Sequence, residues 1–103
     1  MLGDLFSKLQ DARQKIEEAK RKLNSIIIET RSENGEIIVK ANANKIITSI
    51  GISENYKNEA PTGELEEALM NTLNRALEEA AKNGEEEMKK ITKDVLPNFP
   101  GLI

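Results

Sequence analysis

The chain has 103 residues with 15 Lys/Arg, 18 Asp/Glu, no histidine and no cysteine, for a formal charge of −3. These absences exclude disulfides, thiolate nucleophiles, Cys/His zinc sites and histidine acid–base catalysis. Only 3% of residues are aromatic, so a core must come from Ile, Leu, Val and Ala, and the length fits one domain.

The first two dozen residues read as a helix. Leu2, Leu5, Leu9, Ala12, Ile16, Ala19 and Leu23 alternate spacings of three and four, the a/d seam of a helix that packs on another helix. Lys8, Arg13, Lys15, Lys20 and Lys22 fall on the flanking e and g positions, whereas Asp4, Asp11, Glu17 and Glu18 fall on b or c. Like charges at e and g disfavour a parallel homodimeric zipper, so this basic rim calls for an acidic protein surface or a polyanion. The same charges have a plainer reading. Each acid precedes a base by four residues (Asp4 and Lys8, Asp11 and Lys15, Glu17 and Arg21, Glu18 and Lys22), and such pairs stabilise a helix by roughly 0.2–0.5 kcal/mol each. The stretch has no uninterrupted apolar run, so neither a signal peptide nor a membrane span is expected, and a cytoplasmic protein is.

Ile26-Ile27-Ile28-Glu29-Thr30-Arg31 is β-branched and reads as a strand. Asn34-Gly35 fits a two-residue type I′ hairpin. Closing it with Glu33 opposite Glu36 places Thr30 beside Val39, Ile28 beside Ala41 and Glu29 across from Lys40. A second reversal near Ala43-Asn44 returns the chain as Lys45 to Ile52, and the same arithmetic puts Ala41 by Ile46, Val39 by Thr48 and Ile37 by Ile50. One face then collects Ile26, Ile28, Ile37, Val39, Ala41, Ile46, Ile50 and Ile52 as the core. The other carries Ile27, Ile38 and Ile47 among polar residues, a candidate dimer interface.

Ser53 to Pro61 reads as a loop. Thr62 is a candidate N-cap for a second long helix, with Glu64, Glu66 and Glu67 at its positive dipole end. Leu65, Leu69, Leu73, Ala76, Ala80, Gly84, Met88, Ile91 and Val95 form its apolar stripe. Gly84 marks either a close helix contact or a break. The consecutive Glu85, Glu86 and Glu87 do not converge on one helical face, so no metal site is expected. Pro97 and Pro100 end the helix. The expected fold is α+β, in the order α-β-β-β-α: a long N-terminal helix, a three-stranded antiparallel sheet and a long C-terminal helix. Residues 1–96 form a single domain and 97–103 a Pro/Gly tail.

Positive charge is segregated along this order. Residues 1–25 hold six Lys/Arg against four Asp/Glu, residues 26–59 four against five, and residues 60–103 five against nine. A mildly basic first helix sits on an acidic body.

The stretch Gly35-Glu36-Ile37-Ile38-Val39-Lys40-Ala41-Asn42, running on to Ile50-Gly51-Ile52, resembles the central strands of the YbaB/EbfC family of small bacterial nucleoid-associated proteins, whose pattern is approximately G-x-V-x-V-x-x-N-G followed by V-x-I-D-P. The likeness covers nearly the whole chain, from Met1-Leu2-Gly3 to the Pro/Gly tail. Two positions depart from it: Ala43 replaces the glycine after the asparagine, and Ser53-Glu54 replaces Asp-Pro. The resemblance implies a homodimer joined through the sheet region, long helices that grip double-stranded DNA, a nucleoid location, and no enzymatic activity, cofactor, small-molecule substrate or membrane partner. Placed on the residues, it makes Lys8, Arg13, Lys15, Lys20, Arg21 and Lys22 the candidate phosphate contacts. The alternative is a protein-interaction module whose basic first helix docks on an acidic partner.

Overall fold

A computed structural model describes residues 2–95; the tail at 97–103 lies outside the described residues. The order is α1 (Leu2–Asn24), β1 (Ile27–Arg31), β2 (Ile37–Asn42), β3 (Ile47–Ile52), α2 (Glu54–Glu59) and α3 (Thr62–Val95). The strands form one antiparallel sheet with β2 in the centre. The expected α+β fold is therefore present, with one short helix added.

The β1–β2 register matches the expectation, pairing Ile28 with Ala41, Glu29 with Lys40 and Thr30 with Val39. The turn differs. Only Gly35 takes positive φ, at 75°, so this is not a type I′ turn, which needs two such residues. Ser32 closes it instead: its carbonyl accepts from Gly35 N (2.9 Å), and its hydroxyl accepts from Ile37 N (3.0 Å) while donating to Asn34 Oδ1 (2.7 Å).

The β2–β3 register is shifted by two from the expected pairing. Ile37 lies opposite Ile52, Val39 opposite Ile50 and Lys40 opposite Ser49, and a bulge after Lys40 then brings Ala41 opposite Ile47. The turn takes its positive φ at Lys45 (65°), a longer reversal than one centred on Ala43-Asn44. Because a one-residue slip exchanges the faces of a strand, the bulge swaps two neighbours. Ile47 turns inward onto the core, and Ile46, expected inside, is 54% exposed. Ile50 is also 48% exposed rather than buried.

The core is the helix-facing side of β2. Ile37, Val39 and Ala76 are fully buried, with Ile47, Ile52, Tyr56, Leu65, Leu69 and Leu73 packed around them. α3 lies over β2 and β1. Arg75 Nη2 donates to the Arg31 carbonyl (2.7 Å), and Thr30 Oγ1 donates to Glu79 Oε2 (3.0 Å). The segment expected as a loop contains α2, capped by Ser53, whose Oγ accepts from Tyr56 N (3.2 Å). A serine at the N-cap satisfies a backbone donor that a helix start leaves without a partner. α3 begins one residue earlier than an N-cap at Thr62 requires, since Leu65 N bonds the Pro61 carbonyl (3.1 Å), and it runs unbroken through Gly84.

Candidate nucleic-acid interface

α1 and α3 meet at the β2–β3 turn. Ala43 N donates to the Leu23 carbonyl (3.2 Å) and the Ile26 carbonyl (3.1 Å), while Gly84 of α3 lies directly against the Ala43 carbonyl. α1 arrives at this point and α3 leaves it, so the two helices run antiparallel away from the sheet and pack on each other.

Helix rise sets how far that packing reaches. From Gly84 to Val95 is eleven residues, roughly 16 Å at 1.5 Å each, and the same distance back from Leu23 ends at Ala12. Burial along α1 follows this arithmetic: Ala19 and Leu23 are buried, Ala12 and Ile16 half-buried, and Leu2 through Asp11 all exposed. The outer half of α1 therefore projects as an arm, with Leu2, Leu5, Phe6 and Leu9 exposed along its seam. The molecule measures 69 × 22 × 16 Å along its principal axes.

Asparagines fix the base of this arm. Asn44 Nδ2 donates to Asn24 Oδ1 (2.6 Å) and to the Lys20 carbonyl (3.0 Å). Asn42, buried, accepts at Oδ1 from Asn44 N (2.9 Å) and Ile46 N (3.3 Å), and donates to Asn24 (3.4 Å). These side chains satisfy the end of α1 and tie it to the turn. Their positioning role is legible only in three dimensions, because Asn24 and Asn44 are twenty residues apart.

All six candidate phosphate-binding residues are exposed on α1. Lys8, Lys15 and Lys22 stand on one flank of the seam, Arg13 and Lys20 on the other, and Arg21 on the back. Consecutive g-position lysines are about 10.5 Å apart along the axis. Among the described residues, none of the six forms an ion pair with an acid on α1; the Asp4–Lys8, Asp11–Lys15, Glu17–Arg21 and Glu18–Lys22 pairs are not made. The cations are thus available to an external anion.

Their surroundings are unequal. The α3 stripe facing α1 is flanked by Glu85 and Glu87, which by helix rise lie at the level of Lys22 and Lys20. Glu87 is itself paired with Lys90 (3.5 Å).

A groove of about 290 Å³ near the β1–β2 hairpin is lined by Glu33, Glu64, Glu67 and Arg75 among others. Three carboxylates against one guanidinium give it the wrong sign for phosphate. No helix among the described residues is long and apolar enough to cross a membrane.

Of the three isoleucines expected to form a dimer interface, Ile27 (51% exposed) and the half-buried Ile38 keep the outer face of the sheet. Ile47 does not join them there, for the reason of register given above.

Comparison with known proteins places the whole described region in one family. The model of the YbaB/EbfC DNA-binding family matches residues 1–95. A protein of Flavobacterium johnsoniae named "Nucleoid-associated protein" is 30% identical over 101 residues, covering 98% of this chain and 93% of that one. A nucleoid-associated protein of Chlorobium phaeobacteroides is 26% identical over 91 residues, covering 88% and 80%. The crystal structure of an uncharacterized protein from Helicobacter pylori shares the fold, with TM-score 0.76, 15% identity, and coverage of 88% of this chain and 96% of that one. The chain belongs to the YbaB/EbfC DNA-binding family.

Proposed function

We propose that this protein binds duplex DNA in the nucleoid as a homodimer joined through its sheet, contributing to chromosome organisation or gene regulation and not to catalysis. Phosphates are contacted by α1 through Lys8, Arg13, Lys15, Lys20, Arg21 and Lys22. The observation that carries this reading is the exposed cationic arm, whose charges are not held by the acids of its own helix. Family membership and the names of the relatives support the same partner. Phosphate contact needs cations at suitable spacing and no base-edge readout, so sequence preference is weak and binding is salt-sensitive.

The test is fluorescence anisotropy of a generic duplex across a salt series, with the oligomer's mass measured in parallel. Affinity falling steeply and linearly in log–log form is expected; an affinity indifferent to salt would contradict phosphate contact.

The exposed apolar seam at Leu2, Leu5, Phe6 and Leu9 favours a second reading, in which the arm docks on an acidic protein helix. Reversing the charges of Lys15, Lys20 and Lys22 separates the two. Loss of DNA binding with the oligomer intact supports the first reading; loss of assembly supports the second.

A further inference from the structure

The dipeptide Asn-Gly occurs twice in the chain, at Asn34-Gly35 and Asn83-Gly84, and the fold treats the two copies in opposite ways. An asparagine followed by glycine is open to attack on its own side chain, because the glycine nitrogen has no neighbouring Cβ to screen it. Asn83 lies inside α3. Its Nδ2 donates back to the Glu79 carbonyl (3.0 Å), which holds the side chain over the preceding turn and away from Gly84. Gly84 is buried against the Ala43 carbonyl, and inside a helix its N–H is committed to the carbonyl four residues earlier. Neither the nitrogen nor the amide carbon is placed to react.

Asn34 is exposed at the tip of the β1–β2 hairpin. Its Oδ1 accepts from the Glu36 N–H (3.1 Å) and from the Ser32 hydroxyl (2.7 Å). The bond to the residue two places on closes an Asx turn, which folds the side-chain carbonyl back over the Gly35 peptide. The two donors polarise that carbonyl. Gly35 N donates to the Ser32 carbonyl (2.9 Å), but this is a single turn bond at an exposed tip, where opening to water costs far less than in a helix interior.

We propose that Asn34 is a site of spontaneous deamidation, activated by this turn, and that Asn83 is held inert by α3. Gly35 N loses its proton to solvent base and attacks Asn34 Cγ. Negative charge develops on Oδ1, where the Ser32 hydroxyl and the Glu36 N–H already point, as donors do in an oxyanion hole. Collapse of this intermediate breaks the bond from Cγ to Nδ2, whose nitrogen takes up a proton and leaves as ammonia, and a succinimide ring joins Asn34 to Gly35. Water then adds at either ring carbonyl. Opening on one side gives aspartate at 34, and opening on the other gives isoaspartate, whose backbone runs through the former side chain. One water is consumed and one ammonia released, with no change of oxidation state. Either product puts a new carboxylate beside Glu33, Glu36, Glu64 and Glu67 around the groove at this end of the sheet, so like charges face each other. Isoaspartate also lengthens the turn by a methylene and moves the acceptor away from the Ser32 hydroxyl, which itself accepts from the N–H of the buried Ile37. The hairpin loosens at the end of β2 opposite the base of the α1 arm.

The test is peptide mapping by mass spectrometry of the full chain during incubation at mildly alkaline pH, with isoaspartate counted by enzymatic methylation. The peptide holding Asn34 is expected to convert from amide to acid, in part as isoaspartate, about tenfold or more faster than the peptide holding Asn83. In urea, where both sites are unfolded, the two rates converge. Ser32→Ala removes one of the two donors to Oδ1 and slows conversion by about tenfold, less than the same loss costs in a closed enzyme site because the tip is solvated. A looser turn by itself would speed the reaction, so a slower rate reports the lost donor. Asn34→Gln, whose longer side chain cannot close the succinimide, stays unmodified at the hairpin. An Asn34 that keeps its amide, or an Asn83 that converts as fast, overturns the proposal. A difference that persists in urea assigns the selectivity to flanking sequence and overturns the structural account, and an unchanged or faster rate in Ser32→Ala overturns activation by the turn.

Discussion

Gly84 of α3 lies so close to the carbonyl oxygen of Ala43 that a Cβ at this position would overlap it. The contact is backbone against backbone at the point where α1, the β2–β3 turn and α3 converge, so neither side can yield by rotating a side chain. Gly84→Ala gains helix propensity of roughly 1 kcal/mol but must displace the turn, and overpacking of this kind costs typically 1–3 kcal/mol. A net loss of stability is expected, growing in Gly84→Val, measurable as a lowered urea midpoint. A Gly84→Ala variant more stable than the parent would show that the turn can move aside.

The Asn24, Asn42 and Asn44 cluster holds the arm's base, and its loss should separate stability from aim. Asn44→Ala removes the bonds to Asn24 Oδ1 and the Lys20 carbonyl. With typical hydrogen bonds worth about 0.5–1.5 kcal/mol net, a destabilisation of about 1–2 kcal/mol is expected. The more specific consequence is faster amide exchange in the last turns of α1, with the β1–β2 ladder unaffected. Uniformly faster exchange would indicate that the cluster supports the whole fold.

How far the sequence discloses this structure depends on where each constraint lies. The β1–β2 register was legible because Asn34-Gly35 marks the reversal and Glu29 with Lys40 completes the pattern. The β2–β3 register was not, since nothing in Asn42-Ala43-Asn44-Lys45 announces that Lys45 adopts positive φ or that a bulge follows Lys40. That single irregularity exchanged the roles of Ile46 and Ile47. α2 was obscured by Asn55 and Asn58, which read as breakers, and its N-cap at Ser53 emerges only in the structure. In the candidate site the sorting of cations to the rim could be read from heptad positions alone. Their separation from the neighbouring acids could not, because spacing permits an ion pair without requiring one, and the projection of the arm beyond α3 depends on where the helices meet.

Burial along the sheet gives a sharp contrast between two isoleucines of similar sequence setting. Ile37 is fully buried and Ile50 is 48% exposed. Ile37→Ala should cost roughly 2–5 kcal/mol, the range for emptying a packed site. Ile50→Ala should cost less than about 1 kcal/mol in the monomer, where little transfer energy is at stake. Chemical denaturation at a concentration below dimer dissociation checks both. Equal costs would mean that Ile50 is covered within the single chain.

The last prediction concerns which cations matter. Counterion release makes each phosphate contact worth about 0.9 in the slope of log affinity against log salt on duplex DNA. Lys8 and Lys15 are exposed on α1, whereas Lys22 lies level with Glu85, whose field opposes an approaching phosphate, and Lys20 with Glu87, which is paired with Lys90. Lys8→Gln and Lys15→Gln should therefore each flatten the salt slope more than Lys20→Gln or Lys22→Gln, with Arg21→Gln, on the back of the helix, least of all. Stability should stay within about 0.5 kcal/mol throughout, as for exposed surface substitutions generally, so that any loss of affinity reports the contact and not the fold. If Lys20 and Lys22 carry the larger slope change, the DNA sits at the base of the arm against the sheet, and the acidic flank of α3 must turn away to admit it.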